Sequence, residues 1–198
     1  MARKTAHETA LTRQKLLLAG LDVFSEKGYS SATLEMVGVA AGCSRGAVYW
    51  HFGSKEKLLQ VLLDEHRLPI EEIASEAGDW NDKVARIRDA FEQMVKEPHA
   101  RQLCDILLHK SERCDESHAI SMRLDRLRNQ MYASYSSALQ SCASQGRFNG
   151  SVNVPRLASF LAVCSIGLIF ESVRQPIERA NDYLASSFDL LIASLPIQ

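Results

Sequence analysis

Apolar residues recur at helical spacing along nearly the whole chain, in blocks separated by glycine, proline or short polar runs. The first block runs from about Glu8 to Lys27, with Leu17, Leu21 and Phe24 on one stripe and Gly28 as its stop. Thr33 can cap a short helix carrying Leu34, Val37, Ala40 and Ala41, and Gly42 ends it. Ser44 caps a second short helix from Arg45 to about His51, stopped by Gly53, and Ser54 caps a third whose Leu58 and Leu59 turn inward. That third pattern continues to about Glu76 with Pro69 inside it. Proline removes a backbone bond there, so either a kinked helix or a break between two helices is expected.

The second half is helical as well. Asp82 to Lys96 carries Val84, Ile87, Phe91, Met94 and Val95 on one face. Pro98 opens the next helix at its first turn and carries it to about Glu112 through Leu103, Ile106 and Leu107. A polar break at residues 113–117 follows, then the longest helix, from about Ala119 to Ser144, with apolar residues near heptad spacing. Gly146, Asn149, Gly150 and Asn153 form a loop before a helix from Pro155 to about Arg174 that is apolar nearly all round. Such a helix must be covered on both sides. A last amphipathic helix runs from about Glu178 to Leu195. No period-two run is long enough for a strand, so the fold class is all-α with about nine helices.

Composition changes this picture little. With 46% apolar and 24% charged residues over 198 positions, the chain has the balance of a globular protein large enough to bury a core. The basic start is interrupted by polar residues and does not read as a signal peptide. The most apolar run, Leu157 to Phe170, is shorter than a membrane span and reads as a buried helix. Five cysteines without paired spacing suit a reducing cytoplasm.

Charge adds more. The net charge of −1 argues against nucleic acid, but residues 1–58 hold eight basic and five acidic side chains, leaving +3 there and −4 in the remainder. Attraction to phosphate is local and screened over about 8–10 Å, so a basic small domain on an acidic larger one remains compatible with DNA. Arg3 and Lys4 fit a disordered arm on DNA and a solubilising terminus equally.

Residues 33–52 carry the most specific chemistry. Two short capped helices joined by a glycine turn make a helix-turn-helix, whose second helix enters the major groove. In that second helix Arg45 can reach a guanine edge or phosphate, Gly46 and Ala47 allow close approach, and Tyr49, Trp50 and His51 offer polar groups, while Val48 and Phe52 face the core. On composition alone, a plain helical hairpin with an aromatic core edge fits equally well.

The string Thr33, Ala40-Ala41-Gly42, Ser44-Arg45-Gly46, Tyr49-Trp50-His51-Phe52, Lys55 and Leu58 resembles the DNA-binding signature of the TetR family of one-component bacterial repressors. Its fuller form RGAVYWHF, with the amino terminus MARKT and TRQKLL, is similar to the AcrR-type branch that represses multidrug efflux pumps. The resemblance implies a helix-turn-helix DNA-binding domain over about residues 10–70 and a ligand-binding and dimerisation domain over 71–198. It implies a double-stranded operator with an inverted repeat, a small-molecule inducer, a homodimer through the last two helices, and no membrane. Arg45 and Tyr49 are then candidates for base edges, and Thr33, Ser44, Trp50, His51 and Lys55 for phosphates.

The expected inducer cavity draws on Phe91, Met94, His109, Met122, Met131, Tyr132, Tyr135, Phe160 and Cys164, although each also reads as plain core. Leu161, Leu168, Phe188, Leu191 and Leu195 are the expected dimer contacts. Three positions depart from the family pattern. Met36 stands where an acid would complete a capping box, unless Glu35 substitutes; Gly38 replaces alanine inside the first short helix at a cost of about 0.5–1 kcal/mol; Arg67 and Pro69 do not suit a cation-binding floor.

No catalytic constellation stands out, and no cofactor is expected. Cys104, His109 and Cys114 are five residues apart, which spreads them around a helix, so no metal site is expected; Cys43, in the turn itself, reads as a packing residue before a redox switch. Rival readings are a regulator of metabolism or redox stress with another inducer, and a helical enzyme or interaction module without DNA binding.

Overall fold

The computed structural model describes residues 6–73, 78–108 and 118–197. Among them are ten helices: α1 Ala6–Lys27, α2 Leu34–Ala40, α3 Arg45–Phe52, α4 Lys55–Glu65, α5 Pro69–Ile73, α6 Trp80–Lys96, α7 Pro98–Leu108, α8 His118–Ser144, α9 Val154–Arg174 and α10 Ile177–Ala193. Among the described residues the only extended pairing is an isolated antiparallel bridge between Phe148 and Ile197. The described residues fall into two compact units, 6–66 with 105–108 and 118–121, and 67–73 and 78–104 with 122–197.

The count exceeds nine because Pro69 breaks its helix instead of kinking it. His66 is extended (φ −101°, ψ 105°), α4 has already ended at Glu65, and Pro69 opens α5, where its missing N–H costs nothing. Leu68 N, which α5 leaves without a helical partner, donates to Glu71 Oε2 at 2.8 Å. Pro69 therefore starts a helix; it does not damage one. The expected end of that helix at Glu76, the break at 113–117, and Arg3, Lys4, His109 and Cys114 lie outside the described residues.

In the first unit α1 is the scaffold. Leu16, Leu21 and Phe24 are fully buried, and α1 packs on α2 and α4. Gly20 permits the approach to α4: a Cβ there would sit 3.3 Å from Leu58 Cδ2. Gly28 ends α1 at φ 79°, in the left-handed region that glycine tolerates. The Arg13 guanidinium forms a two-pronged ion pair with Glu65, one contact at 2.9 Å, tying α1 to the last turn of α4. That pairing holds the Glu65 carboxyl below its ordinary pKa and raises that of Arg13.

In the second unit α6 packs against α5, α9 and α10, and α9 against α10. The sequence pattern starts α6 two residues late. Asp79 caps it by accepting from Asp82 N at 2.9 Å, and Trp80 is 5% exposed. Asn153 caps α9 in the same way through Arg156 N, and Arg101 Nη2 donates to the carbonyls of Val173 and Gln175, closing the other end of α9. By length and composition alone α9 is long and apolar enough to cross a membrane, a test that the core helix of a globular protein also passes. In this unit its inner side packs on α6 and α10, with Leu161, Ser165 and Ile169 buried.

Two expectations about this unit are corrected. Leu161 and Phe188, expected at a dimer interface, are 0% and 1% exposed and face their own protomer; the Phe188 ring packs edge-on against Phe91 with centroids 5.4 Å apart. Phe160, expected in an inducer cavity, is 53% exposed on the outside of α9, whereas Met122, 51% exposed, lines an open cleft on α8. The cause is helical phase: Phe160 shares the outward stripe of α9 with Val163 and Gly167, while Leu161 falls on the inward one.

Candidate DNA interface

The turn between α2 and α3 is built from glycines and side-chain caps. Thr33 Oγ1 accepts from Met36 N at 3.2 Å and Ser44 Oγ accepts from Ala47 N at 3.2 Å, each satisfying a donor that a helix start leaves open. Gly42 takes φ 63°, and Cys43 N donates to Gly38 O at 2.8 Å across the turn. The capping-box role considered for Glu35 is not taken; its carboxylate pairs with Arg45 at 2.9 Å.

Gly38 has a positive role that helix propensity alone does not reveal. A Cβ there would lie 3.1 Å from Val48 Cγ2 and 3.2 Å from the carbonyl oxygen of Cys43. Glycine thus permits α2 to lie against α3 at the turn. Behind it Val37 and Val48 are fully buried and Phe52 is 5% exposed.

The opposite face of α3 is open. Trp50 is 73% exposed and Tyr49 41%, while Arg45 stacks its guanidinium 5.3 Å from the centroid of the Tyr49 ring. His51 meets the Trp50 ring edge-on at 4.6 Å. Ser44, Gly46, Trp50 and His51 line a groove of about 620 Å³, whose other wall is Thr9 and Thr12 of α1. These two threonines are not evident from the helix-turn-helix pattern itself. Their signal was a pair of hydroxyls three residues apart on a helix whose apolar stripe lies elsewhere.

Lys55 is bound into the fold more closely than a free phosphate contact would be. Its Nζ donates to the carbonyls of Tyr29 at 3.0 Å and Ser30 at 3.3 Å, and lies 4.4 Å from the Tyr29 ring centroid. It therefore fastens the segment after α1 to the start of α4. The neighbouring Glu56 carboxyl is held below its ordinary range, first by the Ser54 hydroxyl and then by the backbone at the start of α4.

Thr33, Ser44, Arg45, Gly46, Tyr49, Trp50, His51 and Lys55 thus all sit within one compact unit. The expected cavity residues are dispersed. Phe91, Met94, Met131 and Tyr135 are buried in the second unit, Tyr132 and Cys164 are half-buried, and Met122 and Phe160 are at the surface. Tyr135 Oη and Ser165 Oγ share a buried hydrogen bond of 2.8 Å, and burial pushes the Tyr135 phenol well up. Burial also raises the Cys164 thiol. Among the described residues no group of three or more His, Cys, Asp or Glu side chains could hold a metal ion.

Residues 16–62 match the profile of the bacterial regulatory proteins of the tetR family. The chain is 32% identical over 185 residues to the HTH-type transcriptional regulator SrpR of Pseudomonas putida, covering 91% of this chain and 84% of that one. It is 29% identical over 203 residues to the HTH-type transcriptional regulator AcrR of Shigella flexneri, covering 97% and 94%. The fold superposes on NalD, the secondary repressor of the MexAB-OprM multidrug efflux pump in Pseudomonas aeruginosa, with a TM-score of 0.77 at 24% identity over 95% of this chain and 98% of that one.

Proposed function

Because the chain belongs to the TetR family of bacterial regulatory proteins, whose members bind DNA operators and small molecules and function as dimers, we propose that it is a cytoplasmic homodimeric repressor of a multidrug efflux operon, released by hydrophobic inducers. Residues 10–70 read DNA, and 71–198 pair the protomers and sense the inducer. The observation that carries the reading is the exposed face of α3. Arg45, Tyr49 and Trp50 stand open on a helix anchored from behind by Val48 and Phe52 and capped by Ser44.

Arg45 and Tyr49 reach base edges, and Ser44, Thr33, Trp50 and His51 hold phosphates. Two such helices, about 34 Å apart in the dimer, meet the half-sites of an inverted repeat. Pairing uses the outward stripe of α9 (Phe160, Val163, Gly167) with Tyr183 and Leu190 of α10, flanked by the half-buried Leu168, Leu191 and Leu195. A Cβ at Gly167 would meet nothing within 4 Å inside its own protomer, so the space it leaves is open to a second copy. The inducer releases DNA by binding better to a dimer whose reading helices are mis-spaced. Similarity to repressors of efflux pumps supports the choice of operon.

The test is fluorescence anisotropy with the DNA upstream of the protein's own gene, at low and moderate salt, with and without hydrophobic drugs. Salt-dependent binding to that DNA, lost on adding drug and weakened selectively in R45A, is expected. No binding at low salt would end the repressor reading.

A further inference from the structure

The second unit carries a recess distinct from the interior cluster of Phe91, Met94, Met131 and Tyr135. It is a cleft of about 810 Å³ on α8, where Met122, Arg126 and Asn129 follow at spacings of four and three and share one face, and where Arg67 reaches it from the segment before α5. A buried ion pair stands at its wall: Arg123 Nη2 donates to Glu71 Oε2 at 2.5 Å, the side chains 6% and 7% exposed. The same Glu71 oxygen accepts from Leu68 N at 2.8 Å, which fixes the backbone next to Arg67.

The charge left in the cleft is positive. Glu71 is occupied by Arg123 and Leu68, and Asp125 pairs with Arg128 at 2.9 Å. Arg67 and Arg126 have no acidic partner among the described residues. Gln130 and Asn129 add neutral polar side chains to the lining. A guanidinium pair asks for a planar anion that can accept two N–H bonds from a fork. Met122, half exposed, supplies an apolar wall.

We propose that this cleft binds a small amphipathic carboxylate, its anion held by Arg67 and Arg126 and its apolar body laid on Met122. The cleft differs in chemistry from an interior cavity for neutral hydrophobic drugs, since it selects for negative charge. Its regulatory consequence rests on the repressor reading above. Arg67 directly follows His66, the residue that ends α4, so a ligand that engages Arg67 restrains the chain where it leaves the DNA-reading unit.

Isothermal titration of the full-length protein with 3-hydroxy-2-naphthoate, and with its uncharged amide, tests the site. The carboxylate is expected to bind at least about tenfold more tightly than the amide, and R67Q/R126Q to remove that advantage while leaving amide binding unchanged. Both arginines are exposed, so the double variant should keep its melting temperature; R67K/R126K, which retains charge without the fork, should recover part of the affinity. Equal affinity for carboxylate and amide, or an unchanged Kd for the carboxylate in R67Q/R126Q, overturns the proposal whatever the protein does with DNA. Selective carboxylate binding without any change in DNA retention upholds the cleft and overturns only its link to repression. Failure of the protein to bind DNA at all would sink the repressor reading and leave the titration to decide the cleft.

Discussion

Arg45 Nε lies 2.9 Å from a carboxylate oxygen of Glu35, so the guanidinium proposed to meet DNA is held across the turn by an acid on the preceding helix. Both side chains are largely exposed, at 68% and 43%, and such a pair contributes no more than about 1 kcal/mol, little enough to give way to a guanine edge or a phosphate. Glu35 therefore parks Arg45 without trapping it, and places a negative charge beside the interface. Removing that charge should help random DNA more than the operator, where base contacts already compensate. E35Q is expected to tighten binding to random duplex by about three- to tenfold at low salt and to tighten operator binding less, narrowing the ratio between them. Anisotropy with both probes measures this; collapse of operator affinity would mean that Glu35 positions Arg45 instead of restraining it.

Gly38→Ala sets two effects against each other. Alanine favours a helix over glycine by about 0.5–1 kcal/mol. Its Cβ would, however, come within 3.1 Å of Val48 Cγ2 and 3.2 Å of the Cys43 carbonyl oxygen. The first contact can relax by a small shift of a side chain, but the second is backbone inside the turn and is held by its neighbours. Overpacking of this kind typically costs about 1–3 kcal/mol, so a net loss of stability is expected, seen as a lower midpoint in urea. A raised midpoint would show that the turn yields and that helix propensity governs this position.

The lesson for reading such a sequence lies in Gly38, Lys55 and Pro69. Helix spans, both caps of the reading turn and the inward Val48 and Phe52 followed from spacing and residue type, because those signals are local. Gly38 was read through helix propensity alone, since the contact that makes glycine useful comes from Val48, ten residues away. Lys55 looked like a free cation because its partners are backbone carbonyls on Tyr29 and Ser30, which a sequence does not display as acceptors. Pro69 left kink and break open, and the capping of Leu68 N by Glu71 decides for the break. The outward phase of Phe160 against the inward phase of Leu161 was equally hidden, because a helix apolar all round has no polar stripe from which to set its rotation.

The Arg13–Glu65 pair gives stability a pH dependence of known sign. The Arg13 hydrogen bond holds the Glu65 carboxyl below its ordinary value of 4.5, so the folded state prefers the ionised form. The contribution is complete above that ordinary value and is lost as pH falls through the lower folded value. With side chains 37% and 45% exposed, solvent screens the pair, and its share is about 1 kcal/mol or less. E65Q should therefore lower the melting temperature slightly at pH 7 and lose less stability than the parent as pH falls below 4.5. Parallel curves for the two proteins through that range would remove the pair from the acid response.

Val163 and Phe188 separate pairing from folding. Val163 is 61% exposed on the outward stripe of α9 and Leu190 is 73% exposed on α10, whereas Phe188 is closed against Phe91. If the outward stripes meet a second copy, V163E or L190E places an unpaired carboxylate in an apolar contact, which costs at least about 3 kcal/mol, or roughly a hundredfold in the dimer Kd. Neither residue supports its own protomer, so helicity should be kept while sedimentation shows monomers and operator binding falls. Phe188→Ala should do the opposite: it removes a buried aromatic contact at a cost of about 3–5 kcal/mol and lowers the melting temperature, with no direct loss at the outer stripe. A V163E/L190E double variant that sediments as a dimer would place the pairing surface elsewhere. Monomers formed only together with loss of helicity would show that these outward residues are needed for the fold after all.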